Sequence, residues 1–262
     1  MDLRGCTALV TGASAGLGAE FARQLATRAG SIVLVARRRE RLEKLRDELT
    51  AHDPNLNVQV REVDLLDPQQ LNLLCDGLEE QRITIDLLIN NAGVGDHGPF
   101  LTSDQRRLHE MMQLNIAALT ILTRRMLPAM VAQRRGGILN VSSSAGFVPI
   151  PELVVYAASK AYVTAFSEGL RMELRGSGVS VTTLCPGPVH TEFNQLATRP
   201  GTTRRKAPSF TYVSPEKVVR LALRALERDQ PLVIPGATMK LAMFLARVTP
   251  LPVLRLAARF GR

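Results

Sequence analysis

Apolar positions along this chain follow two alternating rhythms. Short apolar runs predict strands at Thr7–Thr11, Ser31–Ala36, Ile85–Asn90, Gly137–Ser142 and Ser180–Cys185. Asn57–Val63 and Pro231–Ile234 predict two more. Between them the spacing becomes helical. Phe21, Ala22 and Leu25 lie on one side of Gly18–Arg28, and Leu42, Leu45 and Leu49 on one side of Arg39–Leu49. Further helices are predicted at Pro68–Gln81, Ser103–Met130, Val155–Arg175 and Pro215–Arg228. Uninterrupted apolar runs are what strands look like when both faces are covered. Repeated strand–helix units of this length predict an α/β domain with a doubly wound parallel sheet. Ligands of such sheets sit beyond the carboxyl ends of the strands, so chemistry is expected just after each run.

The 262 residues suit one domain, and no long Pro/Gly/Ser linker divides them. We expect a single Rossmann-like unit over 1–236 and a basic amphipathic extension over 237–262. Only the basic, polar stretch from Arg199 to Ser209 has a composition compatible with disorder. Cys6, Cys75 and Cys185 have neither zinc spacing nor an even-numbered framework, so reduced thiols and a cytoplasmic protein are expected. The start of the chain does not read as a signal segment, and no run of 18 apolar residues predicts a spanning helix.

A glycine-rich segment, Thr11-Gly12-Ala13-Ser14-Ala15-Gly16-Leu17-Gly18, joins the first strand to the first helix. Glycines there let backbone approach a pyrophosphate, and the helix N-terminus offers N–H donors. A site built for NAD carries an acid near the end of the second strand, about 20 residues on, to hold the ribose 2′-hydroxyl. Here that end is Ala36, followed by Arg37, Arg38 and Arg39. Guanidinium groups suit a 2′-phosphate, so Arg37 and Arg38 point to NADP(H) over NAD(H). Arg39 and Arg41 fit a solvated helix start.

Tyr156 and Lys160 stand four apart, on one face of a helix. Tyrosine ordinarily loses its proton near pH ~10, and a neighbouring ammonium favours the anion, which makes the pair a proton donor and acceptor. Ser143 lies 13 residues before Tyr156 at the end of the fifth strand. Asn91-Ala92-Gly93 ends the fourth strand, Asn115 sits in the long helix, and Pro186-Gly187-Pro188-Val189-His190-Thr191 follows the sixth strand.

In order and spacing, from about residue 5 to about 235, this set resembles the short-chain dehydrogenase/reductase family. The resemblance implies an oxidoreductase in which Tyr156 is the general acid/base and Lys160 holds the nicotinamide ribose. Ser143 would bind the reacting oxygen, and Asn115 a water leading from Lys160 to solvent. It implies a phosphate turn from Gly12, Ser14, Ala15, Gly16, Leu17 and Gly18, and adenine contacts from Asp64 and Leu65. Asn91, with Ala92 and Gly93, would brace the central strand near the adenine ribose. Pro186, Gly187, Val189 and Thr191 would lie beside the nicotinamide. His97 and His190 flank the expected pocket, and no metal-ligand spacing is present.

Gly95–Phe100, Phe147–Leu153 and about 192–212 are expected to line the substrate pocket. Phe147, Val148, Ile150, Leu153 and Phe193 suggest an apolar wall and a lipophilic ketone, aldehyde or alcohol. Arg199, Arg204, Arg205 and Lys206 lie on the covering segment. Two-sided apolar helices, with Ile116, Leu119 and Leu122 on one and Val163, Phe166 and Leu170 on the other, predict a homo-oligomer, a dimer or tetramer.

Charge is unevenly placed. Residues 1–198 hold 20 Lys/Arg and 21 Asp/Glu, whereas residues 199–262 hold 13 and 3. The basic quarter suits an anionic partner, a membrane surface or an acyl carrier, or is simply solvated. In the tail, Leu241, Phe244, Leu245 and Val248 share a helical face with Lys240 and Arg247 beside it. Leu254, Ala257 and Ala258 continue the pattern beside Arg255, Arg259 and Arg262. Membrane contact, a cap on the pocket and a subunit contact remain open for it. Alternatives to this oxidoreductase are a non-catalytic dinucleotide-binding redox sensor, a membrane-associated lipid-modifying protein and a nucleic-acid module. The sensor should lack Tyr156 or Lys160, and 4% aromatic content argues against nucleic acid.

Overall fold

The computed structural model describes residues 1–199, 208–250, 252–253 and 255. Arg204, Arg205, Lys206, Leu254, Ala257, Ala258, Arg259 and Arg262 lie outside the described residues.

Seven parallel strands form one sheet in the order β3-β2-β1-β4-β5-β6-β7. They are β1 (Thr7–Thr11), β2 (Ser31–Ala36), β3 (Asn57–Glu62), β4 (Leu87–Asn90), β5 (Gly136–Val141), β6 (Val179–Leu184) and β7 (Leu232–Val233). Side chains of the central strands alternate between two apolar layers. Ala8, Val10, Ile32, Leu34, Leu87 and Ile89 face the layer with Phe21, Leu25, Leu42 and Leu223, while Leu9, Val33, Val35 and Leu88 face Leu71, Leu78, Leu122 and Met126. Helices α1 (Gly16–Ala26), α2 (Arg39–His52) and α8 (Pro215–Glu227) thus cover one face, and α3 (Pro68–Glu80) and α5 (Leu119–Ala132) the other. The edge strand β3 departs from the expected continuous run, because its Gln59 and Arg61 alternate with Val58 and Val60 and it is only half-buried.

The long helix expected over Ser103–Met130 is two α-helices joined by a π turn. Helix α4 spans Gln105–Met112, the π turn Gln113–Ala118, and α5 follows. Such turns are rare, occur mostly singly inside α-helices, and are frequent at functional sites. Residues 105–132 are long and apolar enough to cross a membrane by length and composition, yet Leu119, Leu122, Met126 and Met130 are buried in this protein's own core. Helix α6 (Val154–Glu173) carries the Tyr156–Lys160 pair. A five-residue helix, α7 (Phe193–Ala197), follows β6, and α9 (Ala237–Val248) follows β7.

Candidate active site

At the carboxyl ends of the strands lies a cavity of about 650 Å³. Its lining includes every residue given a catalytic or cofactor-binding role from sequence except Gly18 and Asn115. Gly18 has a packing reason. A Cβ there would stand 2.2 Å from the Gly12 carbonyl oxygen, so only glycine lets α1 approach the end of β1. Gly12 and Gly16 have φ of +65° and +56°, the left-handed region. The N-cap of α1 is Ala15, which offers no side-chain acceptor, and the first turn holds no acid. Its N–H donors are therefore without a side-chain cap beside the cavity, a donor set that fits a pyrophosphate.

The turn is held to β4 by two side chains. Asn91 Nδ2 donates to the Thr11 carbonyl at 2.9 Å, and the backbone N–H groups of Asn91 and Ala92 donate to Thr11 Oγ1 at 3.0 Å each. Asn91 is thus a brace, as expected, and buried Thr11 is its counterpart. Sequence reading named Thr11 only as the start of a motif; a hydroxyl residue ending a buried strand was the available signal.

Beyond β2, Arg37 and Arg38 line the cavity with Ala36. Arg37 stands 3.9 Å from Asp64. Arg38 donates through Nε and Nη2 to Ser14 Oγ at 3.2 and 3.0 Å, and through Nη1 to Glu192 at 3.3 Å. Arg41 also donates to both Glu192 oxygens at 2.9 Å. Hydrogen bonds from Arg41 and Arg38 hold the Glu192 carboxyl below the usual carboxylate range. Arg39 pairs with Glu43 on its own helix at 2.8 Å, in line with a solvated helix start, whereas Arg41 departs from that reading by reaching Glu192 on a distant segment.

Lys160 is buried on α6, and its Nζ donates to the Val141 carbonyl at 2.9 Å. Burial pushes its pKa down to about 8. The ammonium lies 5.9 Å from the centre of the Tyr156 ring, and the Phe193 ring lies 5.5 Å from that ring. Ser143 caps a 3-10 turn over Ser144–Phe147, accepting from Ala145 N at 3.1 Å. Ser142 instead bonds the Lys160 carbonyl at 2.7 Å and ties β5 to α6.

Asn115 sits in the π turn, behind the cavity wall. Its Oδ1 accepts from Val94 N at 2.9 Å, and its Nδ2 donates to the Val94 carbonyl at 2.9 Å and to Ser159 Oγ at 3.0 Å. Gly93 separates it from the lysine. A Cβ at residue 93 would stand 3.1 Å from Asn115 Oδ1 and 3.4 Å from Lys160 Nζ, so glycine keeps that space open.

The apolar wall has Val148, Ile150, Leu153 and Phe193 as expected, with Leu196, Met239 and Met243 added by α7 and α9. Phe147 is not on it; its ring lies 5.8 Å from the Arg247 guanidinium. Of the segment from Gly95 to Phe100 only Gly95 lines the cavity. His97 is buried 3.6 Å from Glu152, His190 stacks on Tyr212 at 4.3 Å, and neither lines the wall. Arg199 pairs with Asp96.

Comparison with known proteins agrees with this geometry. The short chain dehydrogenase family matches residues 6–200. The very-long-chain 3-oxoacyl-CoA reductase of Anas platyrhynchos is 33% identical over 84% of this chain and 68% of its own. A short-chain dehydrogenase from Sphingobium yanoikuyae, solved in complex with NADPH, superposes with a TM-score of 0.79 at 32% identity over 88% of each chain. The bulky-bulky ketone specific alcohol dehydrogenase from Comamonas testosteroni gives 0.78 at 30% identity over 92% of each. The chain belongs to the short-chain dehydrogenase family and is an NAD(P)(H)-dependent oxidoreductase working between alcohol and carbonyl carbons.

Proposed function

We propose that the enzyme prefers NADP(H) and acts on lipophilic carbonyls and alcohols in the cytoplasm as a homo-oligomer. One observation carries the reading: a single cavity is lined both by Tyr156 and Lys160 and by Ala36, Arg37 and Arg38. The dinucleotide, when bound, supplies or accepts the hydride. In reduction the Tyr156 hydroxyl gives its proton to the carbonyl oxygen, and in oxidation the phenolate takes one from the alcohol. Ser143 donates to that oxygen and holds it in place. The Lys160 ammonium steadies the phenolate and bonds the nicotinamide ribose, with Asn115 behind it across the Gly93 gap. The first turn of α1 takes the pyrophosphate, and Arg37 and Arg38 the 2′-phosphate. Asp64 and Leu65 meet the adenine, while Pro186, Gly187, Val189 and Thr191 flank the nicotinamide.

Val148, Ile150, Leu153, Phe193, Met239 and Met243 favour an apolar substrate. Relatives named for bulky ketones and for very-long-chain 3-oxoacyl-CoA are in keeping with that class. Oligomerisation is supported by apolar side chains left exposed on α4, α5 and α6, among them Met112, Ile121 and Tyr162, and not by Leu119, Leu122 and Val163, which are buried in this protein's own core. The buried free thiols Cys6, Cys75 and Cys185 suit a reducing compartment. The basic C-terminal quarter, without Asp or Glu after Asp229, suits an anionic lipid surface or acyl carrier.

The test compares kcat/KM for NADPH and NADH in the parent and in Ala36→Asp/Arg37→Ala. Loss of a charge-assisted contact of ~1.5–3 kcal/mol predicts a parent preference of about tenfold or more for NADPH, reduced in the variant. A parent that prefers NADH overturns the reading.

A further inference from the structure

Arg38 and Arg41 are not waiting open for an anion. Their guanidinium groups converge on the carboxylate of Glu192, at 3.3 Å from Arg38 and 2.9 Å from Arg41. Glu192 lies 154 positions from Arg38 in sequence and itself lines the cavity. A carboxylate between two guanidiniums presents the charge and the acceptor oxygens that a phosphate monoester would present there. The plane of Arg38 is fixed by its two bonds to Ser14 Oγ in the glycine-rich turn, so only its Nη1 is committed to Glu192.

Glu192 also begins the segment that forms one wall of the substrate end. Phe193, Leu196 and Ala197 of α7 line the cavity, and Phe193 packs on Tyr156. The far end of α7 is pinned through its backbone carbonyls. The Ala197 carbonyl accepts from His97 N at 2.7 Å, and the Leu196 carbonyl accepts from Arg107 Nη2 at 3.2 Å. The near end is tied by the Glu192 ion pairs and by the longer bond of 3.3 Å from Asn194 Nδ2 to the Val189 carbonyl.

We infer that Glu192 is a stand-in for the 2′-phosphate, a latch that holds Arg38 and Arg41 until the cofactor's phosphate takes them and frees the near end of α7 beside Tyr156. The inference rests on the NADP(H) reading. Phosphate and carboxylate repel each other at these distances, so the two compete for the same donors. Cofactor choice is thereby coupled to the wall that receives substrate: NADP(H) opens the latch, and NAD(H), with a 2′-hydroxyl in that place, leaves it shut.

Calorimetric titration with 2′,5′-ADP and 5′-AMP isolates the phosphate from the chemistry. The latch predicts that Glu192→Gln binds 2′,5′-ADP about two- to fivefold more tightly than the parent, the scale of exposed ion pairs, with 5′-AMP unchanged. Higher salt should shrink the gain. Amide hydrogen exchange over 192–197 supplies the second readout. It should rise in the parent on adding 2′,5′-ADP but not 5′-AMP, and should already be raised in unliganded Glu192→Gln. Unchanged or weaker 2′,5′-ADP binding by Glu192→Gln overturns the latch, and so does exchange that ignores the 2′-phosphate. Equal affinity of the parent for the two nucleotides would instead defeat the NADP(H) reading itself.

Discussion

Lys160 stands under two opposing demands: its role needs a positive charge, and its place on α6 removes water from that charge. With its pKa at about 8 against an ordinary 10.5, the folded protein releases this proton earlier than the unfolded chain does. Between those values the unfolded state binds more protons, so the contribution of this group to stability rises with pH through that window. Urea unfolding at several pH values should show the rise in the parent and lose that part of it in Lys160→Met. The partner residue separates chemistry from binding. Tyr156→Phe removes the transferable proton and leaves the ring against Phe193. Turnover should fall by a factor on the order of 10²–10⁴ or more while NADPH affinity stays near the parent value. Lys160→Ala should weaken both. Fluorescence titration with NADPH distinguishes them, and substantial turnover by Tyr156→Phe would contradict its assignment.

Elements show how far the sequence could be read. Helices and strands ending in ordinary signals lie within two or three residues of their expected bounds. Asp67 caps α3 ahead of Pro68 and Ser214 caps α8 ahead of Pro215, and both helices begin where expected. The misses share a cause, in that they depend on contacts between distant segments. The π turn is specified by Asn115 reaching Val94 and Ser159, which periodicity does not contain. Five-residue α7 is too short to show a period. Phe147 reads as pocket wall from its neighbours, but Arg247 of the tail covers it. Glycines likewise differ by their surroundings. Gly18→Ala sets a Cβ against backbone and should cost on the order of 1–3 kcal/mol with loss of dinucleotide binding. Gly77→Ala in α3 meets nothing within 4 Å and should stabilise by about 0.5–1 kcal/mol. Thermal unfolding of the two variants checks both signs.

Helix α9 has two apolar sides. Met239 and Met243 line the cavity, while Leu241, Phe244, Leu245 and Val248 face outward and are exposed. Of the three roles left open for the tail, a wall over the cavity is favoured by the Met239 and Met243 side, and the side with Leu241, Phe244 and Leu245 is left exposed. Truncation after Gly236 should raise KM for lipophilic ketones severalfold by opening the wall. It should also abolish sedimentation with anionic vesicles if the outer face meets lipid. A truncated enzyme with unchanged KM would remove α9 from the substrate site.

For the molecule as a whole, exposed Met112, Ile121 and Tyr162 predict a dimer or tetramer by light scattering at micromolar concentration; a monomer would count against it. The strand order carries a different consequence, for the chain during its synthesis. β1 is made first but sits mid-sheet, between β2 and β4. Its second edge has no partner until residues 87–90 leave the ribosome, about 4–15 s later at ~5–20 residues per second. Over that interval the backbone N–H and C=O groups of Ala8, Leu9 and Val10 on that edge are unpaired beside apolar side chains, a template for pairing with another chain that a chaperone would shield.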